Sequence, residues 1–589
     1  MQHTAISHVT RSAPRTDARV TFPDGSVYSA PAGTPLLHYV EAAFPPNHPD
    51  RPVLGAVMDN QLVELTAPVE RDVRITPITL RDSDGGRIYR RSLVFLLVVA
   101  VQELFPGVKI AVEHSIPSGG FYGEPVGRPN FSAEELEAVR KRMRAIVEAD
   151  EPFTRAVLPL SEAIARFQAQ DDDDMVRLLA SRQKDYVTVY SLRGQYDYLF
   201  GYMVPSTGYL SRFDLVRTAS GFLLQFPLRD SPDIIQPYIR SEKLEGVFDQ
   251  AKAWRALIGL DHMGELNEAI SAGRFREEVL IAEALHSRYL AEIASTIARR
   301  HAEGLRLVLI AGPSSSGKTT FSKRLAVQLM AYGIQPFTLE MDNFFVDRDR
   351  TPLDENGERD YEALETVDLA RFNQDLLALM GCAAVQLPRF DFKLGKRLPG
   401  PVVQLTDDHI IIAEGIHGLN PRLVPDIPPD RIFRIYVSAL TTLNLDRHNR
   451  VPTTDVRLLR RVVRDAARRG YSAQATLDRW ESVRRGEKRN IFPFQENADV
   501  MFNSGLAYEL AVIRPLAEPL LRQVEPDTPR YIEAKRLLAF LSWVLPEGAE
   551  CVPSDSLLRE FIGGSILETY FPGARNGIGN RRESGDHKH

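Results

Sequence analysis

Cysteine is scarce in this sequence of 589 residues, which contains two, Cys382 and Cys551. Two cysteines cannot build a disulfide framework or supply a multi-cysteine zinc site. We therefore expect no zinc site, and we expect a chain that works in a reducing compartment.

Long hydrophobic runs are also missing. The longest uninterrupted apolar stretch, LVFLLVVAV at residues 93–101, falls well short of the ~20 residues that span a bilayer. It is predicted to be a buried helix. The N-terminal stretch MQHTAISHVTRSAPRTDARV lacks the apolar region of a secretory signal, so we expect a cytoplasmic protein that makes no membrane contact.

An excess of positive charge is the third feature that is absent. The chain has 72 Lys and Arg against 78 Asp and Glu, for a formal net charge of -6. Bulk electrostatics therefore do not favour nucleic acid or membranes as partners, and any such contact would have to be local.

The length predicts several domains, because single hydrophobic cores stop growing near roughly 250 to 300 residues. Composition and pattern predict a multidomain α/β protein. The predicted segments are a disordered N-terminus (1–16), a small β-rich module (17–82), a mixed α+β domain (83–230), a helical connector (231–303), an α/β domain (304–525), a helical C-terminal extension (526–571) and a disordered tail (572–589).

The α/β domain is predicted from three buried strands that alternate with helices. LRLVLIAG is a continuous apolar run, and PFTLEMD and HIIIAEG are further strands of the same type. Such runs are typical of parallel sheets that are covered on both faces. We expect a doubly wound parallel sheet with helices on both sides.

A phosphate-binding loop directly follows the first strand. GPSSSGKTT fits G-x-x-x-x-G-K-[ST] between a strand and an amphipathic helix, which is the context that the P-loop requires. Lys318 should neutralise the β- and γ-phosphate oxygens, and the Thr319 hydroxyl should bind Mg²⁺. The predicted nucleotide-binding residues are Gly312, Pro313, Ser314, Ser315, Ser316, Gly317, Lys318, Thr319 and Thr320.

Two acids stand at the ends of the other strands, Asp342 and Glu414. Taken alone, each is most simply a loop carboxylate or a helix cap. Beside a P-loop they gain chemical roles, because working residues lie beyond the carboxyl ends of parallel strands. Asp342 is predicted to be the general base for an acceptor hydroxyl or a Mg²⁺ ligand, and Glu414 the second acid near the metal.

A basic helix, VRLLRRVVRDAARRGYS, follows later in the same domain. One interpretation is a solvated basic face. Another is a mobile lid whose guanidiniums stabilise charge on a transferring phosphoryl group, and an RNA-binding patch ranks third. The arginines concerned are Arg457, Arg460, Arg461 and Arg464.

Five separated motifs together resemble the uridine kinase and phosphoribulokinase family: GPSSSGKTT, EMDNFF, LPRFDFKLGKR, IIAEGIHGL and RLLRRVVRD. They look closest to the uridine kinases, which transfer the γ-phosphate of ATP or GTP to the 5′-hydroxyl of uridine or cytidine. The resemblance implies that Asp342 accepts the 5′-OH proton and that Lys318, Thr319 and Glu414 form the phosphate and magnesium set. It further implies catalytic roles for Arg461 and Arg464, substrate contacts for Phe390, Phe392, Glu365 and Arg457, and a position near the ribose for Glu362.

The pyrimidine-reading stretch departs from the family pattern. The family has a His three residues after the second Phe, whereas this chain has Phe390, Asp391, Phe392 and then Gly395. The aromatic faces remain, but the polar group that reads the base edge is absent, and losing such a group removes discrimination between substrates. The identity of the base stays open.

The front half resembles the N-terminal part of threonyl-tRNA synthetases over residues 17–225. ARVTFPDGS, PAGTP and VLGAVMDNQLVELTAPV resemble the β-grasp-like TGS module of those enzymes. AVQELFPGVKIAVEHSIPSGGFYGE and FSAEELEAVRKRMRAIVEADEPF are similar to their second, editing-type domain.

The reactive side chains of an editing domain are replaced here. The family's H-x-x-x-H pair falls at Arg91 and Phe95, and its C-x-x-x-H pair at Leu199 and Met203, with each pair predicted to share one helical face. Phe, Leu and Met supply neither a useful metal ligand nor a general base. We therefore expect no hydrolysis of mischarged tRNA, and a scaffold that binds tRNA or a nucleotide or serves as a packing and dimerisation surface in a homo-oligomer.

Together these features favour an ATP-dependent nucleoside 5′-kinase that acts on a uridine- or cytidine-like substrate. One alternative is a kinase of the same family with another sugar or pentose-phosphate acceptor. The other is an RNA-associated, nucleotide-hydrolysing regulatory protein.

Overall fold

The computed structural model describes residues 16–45, 48, 52–353, 357, 359–440 and 443–572. The predicted disordered ends lie outside these residues, apart from positions 16 and 572. The first module is a mixed five-stranded sheet in the order β2-β1-β7-β4-β5, with β1 and β7 parallel. Its elements are β1 (Asp17–Thr21), β2 (Val27–Pro31), β3 (Thr34–Pro35), α1 (Leu36–Ala43), β4 (Gly55–Met58), β5 (Gln61–Val63), β6 (Pro68–Val69) and β7 (Val73–Ile78).

The second region combines two antiparallel sheets with four helices. The sheet orders are β13-β14-β9-β8 and β10-β11-β12. Its elements are α2 (Ser83–Leu104), β8 (Lys109–Ile116), β9 (Gly120–Val126), α3 (Ala133–Ala149), β10 (Thr154–Pro159), α4 (Leu160–Ala169), α5 (Asp173–Ala180), β11 (Tyr186–Leu192), β12 (Gln195–Asp197), β13 (Asp214–Arg217) and β14 (Phe222–Gln225).

The apolar run at residues 93–101 forms the second half of α2, and all nine of its side chains are buried. This confirms the prediction of a buried helix. Within the part of the chain that the structure describes, no helix combines the length and the apolar character needed to cross a bilayer.

Three helices lead from the second region to the α/β domain: α6 (Glu242–Ile258), α7 (Met263–Ser271) and α8 (Phe275–Ala302). The α/β domain then provides β15 (Leu307–Ala311), α9 (Lys318–Ala331), β16 (Gln335–Glu340), α10 (Leu369–Met380), β17 (Val385–Asp391), β18 (Lys396–Val403), β19 (His409–Glu414), β20 (Ile432–Ser438), α11 (Thr453–Arg469), α12 (Ala473–Asn490), β21 (Val500–Asn503) and α13 (Glu509–Leu521). The C-terminal extension adds α14 (Tyr531–Leu541) and α15 (Arg559–Ile562).

The α/β domain is built on a five-stranded parallel sheet in the order β16-β19-β15-β20-β21. β15 lies at the centre, and all five of its side chains are buried. Since parallel neighbours end at the same edge, the carboxyl ends of β15, β16 and β19 lie next to one another. The predicted fold class is confirmed, and β17 and β18 form an antiparallel hairpin outside this sheet.

One hydrophobic core connects the front and back halves of the chain. It includes Phe167 and Leu178 from the second region, Leu266 from the connecting helices, Leu459 of α11 and Leu537 of α14, all of which are fully buried. These halves therefore share a single core instead of meeting through a solvated surface.

Helix α11 is part of this core, which differs from the expected lid. Arg457 and Arg460 are 1% and 0% exposed. Arg457 pairs with Glu487 of α12 (Nη2 to Oε2, 2.8 Å), and Arg460 pairs with Glu509 of α13 (Nε to Oε2, 3.0 Å). The sequence pattern of basic residues at turn spacing cannot distinguish a solvated face from guanidiniums that are paired across helices.

Replacing Arg460 by Met should destabilise the protein strongly, because Glu509 would keep a buried charge without its partner. Removing one member of a buried pair costs about 3 to 5 kcal/mol. The measurement is urea unfolding followed by circular dichroism. Arg530→Met is the control, because Arg530 pairs with Asp478 at the surface (2.8 Å) and such pairs contribute about 0 to 1 kcal/mol. Equal effects of the two substitutions would contradict the assignment.

Candidate active site

The P-loop begins with a glycine that the packing requires. A Cβ on Gly312 would lie 1.9 Å from the carbonyl oxygen of Val437 on the neighbouring strand. The loop then uses left-handed backbone at Ser315 (φ 59°) and Gly317 (φ 89°) before α9 begins at Lys318. These turns direct the loop around a space at the N-terminus of α9, where partial positive charge favours an anion.

Lys318 lies against the loop itself. Its Nζ donates hydrogen bonds to the carbonyl oxygens of Gly312 (2.9 Å) and Pro313 (3.2 Å). The ammonium is therefore held at the phosphate space by backbone acceptors of its own loop.

Thr319 and Glu414, the two residues predicted to lie near the metal, are in direct contact. The Thr319 hydroxyl donates to Glu414 Oε1 at 2.8 Å, which joins the start of α9 to the end of β19. Burial raises the pKa of Glu414 to about 7, the charge of Asp342 adds to this shift, and Lys318 opposes it.

Asp342 lies just beyond the end of β16, in a single 3₁₀ turn at Met341–Phe344. Asp342 is exposed to solvent, but the surrounding protein removes part of its hydration. This desolvation, together with the charge of Glu340, raises the pKa of Asp342 to about 6, although Lys318 acts in the opposite direction. A carboxylate with this pKa suits proton transfer near neutral pH.

Glu362 is a third acid close enough to Asp342 and Lys318 to be influenced by their charges. Burial raises its pKa to about 7, the charges of Glu487 and Asp342 add to the shift, and Arg461 and Lys318 oppose it. No local motif marks Glu362 as part of the site, since it lies in an irregular segment between β16 and α10.

Burial is the largest cause of the three raised pKa values, and the charges of neighbouring carboxylates add to it. A divalent cation would relieve this repulsion, and carboxylate and hydroxyl oxygens are ligands that Mg²⁺ accepts. Thr319, Glu414 and Asp342 therefore fit the predicted magnesium set. Among the residues that the structure describes, no three His, Cys, Asp or Glu side chains form a ready-made metal site, as expected where substrate phosphates and water complete the ligand sphere.

The four predicted arginines of α11 have different surroundings. Arg461 reaches the P-loop, where Nη1 donates to the Ser314 hydroxyl at 2.8 Å, and Arg464 contacts Asp465 of its own helix (Nη2 to Oδ1, 3.1 Å). Arg457 and Arg460 are enclosed behind the loop. The structure therefore gives no support to a substrate contact by Arg457, because its guanidinium is taken up by Glu487.

The hairpin β17–β18 brings an aromatic face beside Asp342. Phe390 and Phe392 lie 5.2 Å apart between ring centroids, and Phe345 lies 5.7 Å from Phe390. Phe392 is 57% exposed. Glu365 is also exposed and pairs with Arg422 (2.9 Å), so the predicted acceptor residues do not all converge on one point.

Gly395 could not be replaced by a His without a rearrangement. It has φ 65°, and a Cβ there would lie 2.9 Å from Nε of Arg348. Arg348 also donates from Nη2 to the carbonyl oxygen of Phe392 at 2.6 Å. A guanidinium therefore occupies the space beside the aromatic face in which a side chain at position 395 would begin.

Two carboxylates outside the loop accept hydrogen bonds from its backbone. The N–H of Ser314 donates to Glu487 Oε1 (3.0 Å). The N–H and hydroxyl of Thr320 donate to Glu560 Oε2 of the C-terminal extension (3.3 and 2.9 Å). Donors of the predicted phosphate cradle are thus partly in use, a feature that the sequence pattern does not reveal because Glu560 lies 240 residues from Thr320.

In the front half, the structure places the replaced editing positions inside a core. Phe95, Leu199 and Met203 are 0%, 2% and 2% exposed and belong to one hydrophobic cluster. Arg91 lies on α2 with Phe95, and its Nη1 donates to the carbonyl oxygen of Tyr202 (2.6 Å). Residues 199–203 form a loop, so the expectation that both pairs lie on helices is wrong for the second pair.

Comparison with known proteins identifies the class of the α/β domain. Residues 307–511 match the model of the Phosphoribulokinase / Uridine kinase family. The chain therefore contains a domain of this family, over about a third of its length. The resemblance predicted from the five motifs is confirmed.

The N-terminal region matches curated threonine–tRNA ligases. It is 34% identical over 206 residues to the enzymes of Burkholderia lata and Burkholderia ambifaria. The match covers 34% of this chain and 32% of each ligase, so the chain spans about a third of the length of the curated relatives it matches. The second resemblance is confirmed.

Two solved structures that this chain resembles in part are described as kinases. A protein described as a fructose transport system kinase from Silicibacter sp. TM1040 is 23% identical, with 36% of this chain and 98% of that chain covered and a TM-score of 0.27. D-glycerate 3-kinase from Cryptococcus neoformans var. grubii is 15% identical, with 43% and 87% covered and a TM-score of 0.21.

Neutralising Glu560 should strengthen nucleotide binding, because its carboxylate competes with phosphate for Thr320. If this contact is formed in about nine-tenths of the molecules, its loss would improve the apparent Kd about tenfold. The test is calorimetric titration of Glu560→Gln with a non-hydrolysable ATP analogue.

Glu568→Gln is the matched control, since Glu568 lies in the same segment and pairs with Arg468 (3.6 Å). It should leave the affinity unchanged. An unchanged Kd in Glu560→Gln would show that the carboxylate does not compete with the nucleotide.

Proposed function

We propose that the protein is an ATP- or GTP-dependent kinase that phosphorylates the hydroxyl of a small molecule, with a nucleoside 5′-hydroxyl as the leading acceptor. The observation that carries the proposal is the convergence of P-loop, Asp342 and Glu414 at one edge of the parallel sheet. The aromatic face formed by Phe390 and Phe392 beside Asp342 supports a flat acceptor, because exposed rings stack on bases.

In the proposed reaction, the acceptor oxygen attacks the γ-phosphorus, its proton passes to Asp342, and the nucleoside diphosphate leaves. Lys318 and the loop N–H groups hold the phosphates, and Arg461 lies close enough to the loop to offset charge on the moving phosphoryl group. Thr319 and Glu414 would hold Mg²⁺, which supplies neutralisation of the phosphate charge when bound.

In this proposal, the carboxylates that accept hydrogen bonds from the loop, Glu487 and Glu560, oppose nucleotide binding. Nucleotide binding must displace Glu560 from Thr320, while Glu487 is retained by Arg457. In the proposed enzyme, the nucleotide therefore binds when its phosphates replace Glu560 as the acceptor of the hydrogen bonds from Thr320.

Asp342→Asn should lower kcat by about 10² to 10⁴-fold, the usual contribution of a general base, while nucleotide binding is retained. Lys318→Ala should abolish turnover. In the wild type, kcat/KM should fall as the pH drops through about 6, since Asp342 must be deprotonated to accept the proton. Phosphate transfer is measured with a coupled assay, and nucleotide binding by calorimetry.

Glu340→Gln serves as the control for this role. It should retain turnover, and it should move the acidic limb of the profile to lower pH, because Glu340 contributes to the raised pKa of Asp342. Full activity in Asp342→Asn would disprove the assigned role.

A second acceptor class is favoured by a specific observation, the guanidinium of Arg348 beside the aromatic face. A cation at this place suits an acceptor that carries its own phosphate, because guanidinium and phosphate form paired hydrogen bonds. A pentose phosphate therefore remains a candidate acceptor alongside a nucleoside.

An acceptor panel separates these alternatives. ATP consumption is measured with uridine, cytidine, ribose, ribulose 5-phosphate and pantothenate, in the wild type and in Arg348→Ala. A nucleoside kinase is stimulated by uridine or cytidine, and Arg348→Ala changes KM for them by less than about tenfold. With a phosphorylated acceptor, loss of the charged contact should raise KM by about tenfold or more. Absence of stimulation by every acceptor would favour the nucleotide-hydrolysing regulator.

A further inference from the structure

A cavity of about 1160 Å³ lies between the front half and the α/β domain. Its walls come from α2, β8 and β9 on one side and from α6, α11 and α12 on the other. No residue of the P-loop lines it. The volume slightly exceeds the roughly 300 to 1,000 Å³ that small-molecule sites usually have.

Many of the cations that line this cavity already have acidic partners. Arg87 pairs with Asp84 and Glu533, Arg229 with Glu481, Arg255 with Glu113, and Arg536 with Asp455 and Glu533, while Lys252 and Lys488 contact Glu124 and Asp230. The carboxylates named here are therefore engaged by other cations.

Arg90, Arg450 and Arg484 differ from these cations. Within the described ranges, none of the three has a carboxylate oxygen within 4.0 Å. Arg450 Nε has no hydrogen-bond partner among the described atoms. Arg90 comes from α2 and Arg484 from α12, so the two halves of the chain each contribute unpaired positive charge to one enclosure.

Burial lowers the pKa of all three guanidiniums, and neighbouring cations add to this shift for Arg90 and Arg484. Burial lowers the pKa of Arg90 to about 9, and the charges of Arg87 and Arg450 lower it further. Burial lowers the pKa of Arg450 to about 10. Burial and the charge of Arg457 lower the pKa of Arg484, while the charges of Glu487, Glu481 and Asp455 act in the opposite direction. An anion between them would remove the repulsion.

Aromatic rings lie beside the same cations. Arg90 is 5.5 Å from the ring centre of Phe226, and Arg450 is 5.2 Å from that of Phe121. Trp480 also lines the cavity. The enclosure thus offers apolar faces for a ring next to a cluster of positive charge.

We propose that this cavity binds a small molecule that carries a di- or triphosphate, of the nucleotide class, through Arg90, Arg450 and Arg484. Several guanidiniums without acidic partners match an oligophosphate, which carries several negative charges and presents paired oxygens to each fork. The site is separate from the P-loop and contains residues of both halves, so it forms only in the intact chain.

This site also has a physical connection to the P-loop. Arg457 lines the cavity, and its Nη1 donates to the carbonyl oxygen of Ser314 at 3.2 Å. An anion beside Arg484 would act on Arg457, the cation that helps to lower the pKa of Arg484. Occupation of the cavity is therefore placed to affect the loop through this side chain.

The test uses full-length protein with Lys318→Ala, which disables the P-loop. Calorimetric titration with a non-hydrolysable ATP analogue and with inorganic triphosphate should each show one site per chain, whereas adenosine should bind much more weakly. Adding Arg90→Met and Arg484→Met should weaken both ligands by about a hundredfold, at about tenfold for each guanidinium.

Arg229→Met is the matched control, since Arg229 lines the same cavity but is paired with Glu481 (2.6 Å). It should retain the affinity. Thermal unfolding without ligand verifies folding: removing like charges should leave the midpoint of the double variant unchanged or higher, while the stabilisation by triphosphate disappears.

Three outcomes would overturn the proposal. The first is a failure of the Lys318→Ala protein to bind either phosphate ligand, and the second is equal affinity in the double variant. The third is binding of a 5′-phosphorylated RNA oligonucleotide through Arg90 and Arg484 when neither small molecule binds, which would assign the cavity to RNA.

Discussion

The position of the P-loop depends on two guanidiniums buried behind it. Arg457 joins the carbonyl oxygen of Ser314 to Glu487 of α12, and Glu487 in turn accepts from the N–H of Ser314. Arg460 joins α11 to Glu509 of α13. Since an unpaired charge in this interior is very unfavourable, the loop, α11, α12 and α13 are constrained to move together. The space for the phosphates is therefore shaped by helices that are distant in sequence, as well as by the loop glycines.

Local chemistry explains which parts of the site could be predicted from the sequence. The P-loop, its preceding strand and its following helix are contiguous in sequence. One motif therefore predicts both the path of the loop and its role in phosphate binding. Asp342 and Glu414 could be predicted because they end apolar strands, and parallel strands end at a common edge. Gly395 was recognised as a departure from a family pattern, and its positive φ gives that departure a structural basis.

Long-range pairing explains what could not be predicted. Four arginines at turn spacing look alike in sequence, yet Arg457 and Arg460 are enclosed, because the acids that receive them belong to α12 and α13. Arg461 reaches the loop, whereas Arg464 contacts Asp465 of its own helix. No sequence motif predicts the positions of Glu560 and Arg348. Each reaches the site through a tertiary contact, Glu560 with Thr320 and Arg348 with Phe392. The second pair of editing positions was assigned to a helix from spacing, and spacing alone cannot separate a helix from a loop.

The core shared by the two halves limits which parts of the chain can be removed. Phe167 and Leu178 belong to the same core as side chains of α11 and α14, so a cut near the start of β15 would uncover apolar surface on both pieces. Such fragments would be prone to aggregate. Deleting the front half would therefore expose part of the core that the α/β domain shares with it. The front half can therefore persist in this architecture as a structural necessity, even where the reactive side chains of its relatives are gone.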